Sequence, residues 1–180
     1  MNIPVSSLSR VLLSVLFLFG TAYSLKAAAF IKFEGIEGES EIILGLHNDA
    51  SDVLSWSWGV KPPESDRARG SGVADELNVT HYLDKSSPLL SLACLQGTIF
   101  SKVDLFVYRP ISGGNGNIVQ ITLTGAKITS ISTSGSSDED RPVGDISLSF
   151  DSIRYIYNVY EGNTWVDSEI MTWDVEAGTP

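Results

Sequence analysis

The chain has 180 residues, 43% of them hydrophobic, and carries 12 Lys and Arg against 22 Asp and Glu, a formal charge of −10. That acidity argues against nucleic acid or an anionic membrane as partner, since both select basic surfaces. A single cysteine, Cys94, rules out an intramolecular disulfide, and two histidines, His47 and His81, leave too few ligands for a structural zinc site.

Residues 1–29 differ from the rest. Arg10 precedes the apolar run Val11-Leu12-Leu13-Ser14-Val15-Leu16-Phe17-Leu18-Phe19, and Ala27-Ala28-Ala29 offers an A-x-A site. A basic start, a short apolar stretch and small residues at the cut describe a secretory leader. The run is well short of the roughly 20 residues a membrane span needs. The expectation is a leader over 1–29 and one domain over 30–180, secreted or periplasmic. The alternatives are an uncleaved membrane anchor, or a start codon placed too far upstream of a cytoplasmic protein. Removing the leader takes away Arg10 and Lys26 and no acid, so the domain is more acidic still. A chain of about 150 residues buries about 68–70% of its unfolded surface and needs no metal or disulfide to hold a core.

In chain order, residues 41–52 read as irregular. Val53 to Val60 alternates: Leu54, Trp56, Trp58 and Val60 point one way, and Val53, Ser55, Ser57 and Gly59 the other. This predicts a half-buried strand with an aromatic core face and a small polar outer face. Both indoles are therefore expected in the core rather than on a sugar-binding platform. Residues 61–77 are polar and rich in breakers, and read as a long loop. Ser87 as N-cap, Pro88 at the first helical position and Gly97 at the end predict a helix over 87–97. Leu89, Leu92, Ala93 and Leu95 follow helical spacing, and Cys94 is expected as a small buried hydrophobe. Strands are predicted over Lys102–Arg109, Ile118–Thr124, Ala126–Ser132, Asp145–Phe150, Arg154–Tyr160 and Trp165–Asp174. Gly113 to Asn117 is read as a hairpin connection and 133–144 as a loop. The fold class is mainly β: a compact barrel of short antiparallel strands with one capping helix.

Constellations that would carry catalysis are missing. No G-x-S-x-G elbow presents a serine, and the residues suggest no catalytic, metal or cofactor site. His81, between Thr80 and Tyr82 on a strand, is expected at the surface. Asp138-Glu139-Asp140 lacks the spacing of an EF-hand and reads as a solvated turn partly neutralised by Arg141. Asn78-Val79-Thr80 matches a glycosylation sequon, a common coincidence.

Several landmarks occur in a telling order: Phe30 to Ile36 with Gly38-Glu39-Ser40, Trp56-Ser57-Trp58-Gly59, Tyr82-Leu83-Asp84-Lys85, Ser87-Pro88-Leu89-Leu90 with Ala93-Cys94, and the loop from Ser134 to Pro142 leading into Ile146 to Phe150. This order resembles the Hcp family (haemolysin-coregulated protein), the tube subunit of bacterial type VI secretion. The resemblance implies a barrel with one helix that forms homohexameric rings, stacked as a tube. It also implies spike and sheath proteins and small effectors as partners, without catalysis. It places the serine of the Trp-Ser-Trp motif, Ser57, on the ring's inner wall. Ser55 joins it there by alternation. The alternative from a different class is a secreted β-barrel module that binds a sugar or protein and has kept the fold without the tube role.

Overall fold

The computed structural model describes residues 27–40, 47, 49–63, 72–111, 114–137 and 141–180. Its elements are β1 (Ala28–Phe33), β2 (Ser51–Ser57), β3 (Val60–Lys61), β4 (Val73–Ala74), β5 (Leu77–Tyr82), α1 (Ser87–Gln96), β6 (Ile99–Ile111), β7 (Gly114–Ser134), β8 (Val143–Ser149), β9 (Ser152–Glu161) and β10 (Thr164–Asp174). Strands β7, β6, β1, β2, β5 and β8 pair antiparallel in that order, and β8 returns to β7. Six strands thus close into a barrel, which removes their edges.

Strand β7 serves two neighbours. Its segment Val119 to Thr124 pairs with β9, and its later part, Lys127 to Ser134, pairs with β8. The change of partner falls at Gly125, whose φ of +61° suits glycine. A Cβ there would sit 1.9 Å from Asp151 Oδ2. The two strands expected over 118–124 and 126–132 are therefore one strand of 21 residues, bent and not broken at Gly125. Strands β9 and β10 form a hairpin that leaves the barrel from β7, with β10 outermost.

The core follows the two-residue period. Ile31 and Phe33, Leu77 and Val79, Val103 and Leu105, Ile121 and Leu123, and Ile146 and Leu148 alternate inward from five strands, all essentially without exposure. Each such side chain contributes about 1.5–3 kcal/mol through burial.

In β2 the expected strict alternation fails. The register with β5 shifts between Val53 and Ser55, so Val53 points inward while Leu54 is turned out and 47% exposed. A bulge re-aims every residue after it. Val60 is exposed in the separate strand β3, and its expected place in the core is corrected with that of Leu54. Trp56 and Trp58 do pack inward against the core, half-buried.

The helix forms where predicted, with one residue of offset. Ser86 precedes it without a side-chain cap bond, and Pro88 lies in its first turn. Gly97 ends it at φ +63°, where its N–H donates to Cys94 O and that of Thr98 to Ala93 O. This αL stop with crossed bonds is what glycine at C′ supplies. Its buried face is Ser87, Leu90 and Ala93; Leu89, Leu92 and Leu95 are exposed.

The loop boundaries also move. Ser51 and Asp52 belong to β2, and residues 61–77 contain the small β3–β4 hairpin and the first residue of β5. Thr133 and Ser134 extend β7, and Val143 and Gly144 open β8. Gly114 to Asn117 are already paired with β6, so the hairpin connection is shorter than read.

Candidate functional site

Ser55 and Ser57 lie on the outer face of β2, both exposed and opposite the inward Trp56. Register carries this face across four strands. Ser55 pairs with Thr80, Thr80 with Asp145, and Asp145 with Ser132. Ser57 pairs with Asn78, Asn78 with Ser147, and Ser147 with Ser130. The result is two transverse rows of small polar side chains in which Asp145 is the single carboxylate. They hold one another in place: Thr80 Oγ1 donates to Asp145 Oδ1 at 2.6 Å, and Ser147 Oγ to Asn78 Oδ1 at 2.7 Å. Cross-strand hydroxyl pairs of this kind stiffen a sheet face. The shallow groove between β2, β5 and β8 has a volume of about 490 Å³. Sequence alternation reached Ser55 and Ser57; the other members depend on register, which the sequence did not reveal.

A second cluster joins landmarks far apart in the chain. Asp84 Oδ2 accepts the Glu39 backbone N–H at 3.1 Å, and Asp84 Oδ1 accepts Ser86 N–H at 2.9 Å. Glu39 Oε2 in turn accepts Lys85 N–H at 3.0 Å. Gly38 fits because a Cβ there would strike Ala50 O at 2.2 Å. From the other side, Leu83 N–H donates to Pro142 O at 3.0 Å, and the Arg141 guanidinium lies 4.2 Å above the Tyr82 ring. Arg141 Nη1 also reaches Asp52 Oδ2 at 3.5 Å, and Asp52 is only 5% exposed. Arg141 was expected to neutralise Asp138, Glu139 and Asp140, which lie outside the described residues; its described partner is Asp52. The Gly-Glu-Ser, Tyr-Leu-Asp-Lys and Arg-Pro landmarks thus dock on one another and serve the fold.

His81 is a correction. It was expected at the surface but has no exposure, sharing the inner face of β5 with Leu77 and Val79. Neither ring nitrogen has a partner in hydrogen-bonding geometry. Burial lowers its pKa, against the smaller pull of Asp84, the Tyr82 backbone and Asp145. His47 stacks on Phe106 at 4.4 Å, and its Nε2 lies 2.9 Å from the Tyr108 hydroxyl. Burial lowers its pKa as well, opposed by Asp49. Cys94 is half-buried on α1, packed against the core, and free. These three groups sit apart from one another. No cluster of three His, Cys, Asp or Glu suited to a metal occurs among the described residues.

An apolar cavity of about 210 Å³ opens between the β3–β4 hairpin and the β9–β10 hairpin, lined by Trp58, Val60, Val73, Ile153, Met171 and Trp173. Trp58 meets Tyr155 there, ring centroids 5.8 Å apart. Lys61 is the one ionisable group on its wall, so the cavity is packing space and not a reactive centre.

The chain matches the family described as "Type VI secretion system effector, Hcp" over residues 30–157. It is 35% identical over 135 residues to Protein hcp1 of Pseudomonas aeruginosa, covering 71% of this chain and 81% of that protein. Among solved structures, Hcp1 from Salmonella typhimurium superimposes with a TM-score of 0.72 at 26% identity, covering 86% of this chain and 99% of the other. A type VI secretion system effector from Yersinia pestis superimposes with a TM-score of 0.67 at 27% identity, covering 82% and 99%. Sequence match and barrel topology therefore agree, and the chain belongs to the Hcp family, the tube and effector proteins of type VI secretion.

Proposed function

We propose that this chain is a non-catalytic subunit that assembles into a homohexameric ring, stacks into a tube, and carries small effectors against the polar face that holds Ser55 and Ser57. Spike and sheath proteins are its further partners. The observation that carries this reading is the pair of polar rows across β2, β5, β8 and β7. A ring wall lined by hydroxyl and amide groups stays wetted and offers many weak hydrogen bonds, each worth about 0.5–1.5 kcal/mol, with no single tight site. Cargo can then be held and released. The rival sugar platform loses its basis, because Trp56 and Trp58 pack against the core.

Sheath and spike contacts belong to a chain that starts downstream of the apolar run and stays in the cytoplasm; where the leader over 1–29 is used instead, the exported domain keeps the fold and the ring without the tube role. Sedimentation of the exported protein across concentrations tests the assembly. A species of six subunits at micromolar concentration is expected, and a monomer up to the millimolar range rejects the ring. Ser57→Gln should keep the ring while weakening effector retention, because it narrows the groove without touching the core.

A further inference from the structure

We infer that the polar face selects cationic cargo, and that Asp145 recognises it through ammonium and guanidinium groups. The inference rests on the ring and lumen reading proposed above and names the cargo class of that face.

Hydrogen-bond donors on this face are largely spent. Thr80 Oγ1 gives its one proton to Asp145 Oδ1 at 2.6 Å, and Ser147 Oγ gives its own to Asn78 Oδ1 at 2.7 Å. Asn78 Nδ2 in turn donates to Glu76 O at 3.2 Å. Toward the groove, Thr80 and Ser147 therefore present lone pairs, and the Asp145 carboxylate can only accept. Its Oδ2 has no hydrogen-bond partner among the described residues. The hydroxyls of Ser55 and Ser57 can act either way. The groove of about 490 Å³ between these side chains is thus rich in acceptors and poor in donors. Arginine, with five N–H groups, and lysine, with three, supply what it lacks, together with a positive charge.

Charge points the same way. Asp145 is exposed, and the cations on this sheet face do not cancel it. Arg141 is engaged with Asp52 at 3.5 Å and with the Tyr82 ring at 4.2 Å. Lys127 stands level with Ser149, four residues along β8 from Asp145. At about 3.3 Å per residue that is roughly 13 Å, beyond the screening length of about 8 Å in physiological salt. In the proposed ring, rotation repeats the carboxylate at one height in every subunit. A passage lined by one sign of charge focuses the field and draws in the opposite sign. Acidic cargo would meet a carboxylate and lone pairs with nothing to pair them, and is turned away. One exposed carboxylate per subunit holds weakly at each point, so basic cargo is retained reversibly.

For the test, the full chain is purified in its assembled state and titrated with two labelled Gly-Ser peptides of equal length. One carries arginines and the other glutamates. Sedimentation of the same samples reads the assembly. The arginine peptide should bind about tenfold more tightly than its twin, and added salt should weaken it. Asp145→Asn keeps an acceptor for Thr80 in its amide oxygen. It should leave the ring intact and lower affinity for the arginine peptide about tenfold. Ser57→Asp puts a second carboxylate on the groove wall without touching the core, and should tighten the same peptide. No binding, equal binding of the two peptides, or undiminished affinity in an intact Asp145→Asn ring overturns the cationic class and leaves the ring standing. Should Asp145→Asn fail to assemble, a Ser57→Asp ring that binds no more tightly than the parent overturns it instead. A parent chain that sediments as a monomer at every concentration overturns the ring and the inference together.

Discussion

Arg141 stands 3.5 Å from the buried Asp52 and lies over Tyr82, so one side chain both balances a charge and covers an aromatic face. Removing it leaves Asp52 without a counter-charge, and its Oδ1 already lacks a hydrogen-bond partner. Arg141→Ala is expected to cost about 1–3 kcal/mol, the desolvation penalty of an unsatisfied buried group. Asp52→Asn in that background should restore part of it, because an amide carries no charge. Urea midpoints of the single and double variants measure both effects. His81 acts in the opposite sense, as a buried base without a partner. Its lowered pKa means that the unfolded chain binds the proton more readily than the folded one, so stability rises with pH. The contribution is undiminished above the ordinary value of about 6.5 and is lost as pH falls from there through the lowered folded value. His81→Leu should flatten this dependence between pH 7.5 and 5.5 in urea titrations. An unchanged slope would assign it to His47, which is shifted the same way.

At the scale of elements, α1 and β2 show how a correct element can present an unexpected face. The helix was legible from Pro88 and Gly97, whose start and stop chemistry is local, although the expected cap Ser87 lies inside the helix and Ser86 makes no side-chain cap bond. Its inward face was not, since leucines occur on every side and periodicity could not choose among them. Leu90→Ala is expected to cost about 2–5 kcal/mol through a core cavity, whereas Leu95→Ala, at a site 87% exposed, should stay within about 0.5 kcal/mol. Thermal melts of the two variants separate them directly. In β2 and the residues after it, the alternation read from Val53 to Val60 placed Ser55, Trp56, Ser57 and Trp58 on the correct faces and misplaced Val53, Leu54 and Val60. A bulge depends on the partner strand, here β5, and leaves no mark in the strand's own sequence.

For the whole molecule, closure of six strands leaves β10 as the edge of the sheet, 11 residues long. It carries exposed Trp165, Val166 and Ile170 and contains neither Lys nor Pro. Natural edges are commonly protected by charged side chains, Pro or bulges; β10 has Asp167, Glu169 and Asp174 and the irregularity between Trp165 and Asp167, which leave the apolar side chains of Trp165, Val166 and Ile170 exposed beside them. Such an edge suits a neighbouring subunit of the proposed ring. Ile170→Lys is therefore expected to weaken ring assembly by tenfold or more in sedimentation, with the melting of the isolated barrel little changed. A ring of undiminished affinity would place the contact elsewhere on the subunit.

Local chemistry in the sequence was enough for the class of fold, the helix and its glycine stop, most strands, and the outward set of Ser55 and Ser57. Each follows from neighbours within a few residues: period-two alternation, a proline in the first helical turn, a glycine at positive φ. The ordered landmarks added the Hcp family. Tertiary structure alone decided what depends on partners distant in the chain. It joined Ile118 to Ser132 into one bent strand, because Gly125 can pass close to Asp151. It buried His81, because β5 lies between β2 and β8 with that face inward. It gave Arg141 to Asp52, and it aligned Thr80, Asn78, Asp145 and Ser147 beside the two serines. Register and closure are set by the packing of the whole barrel, and no local window of sequence contains that information.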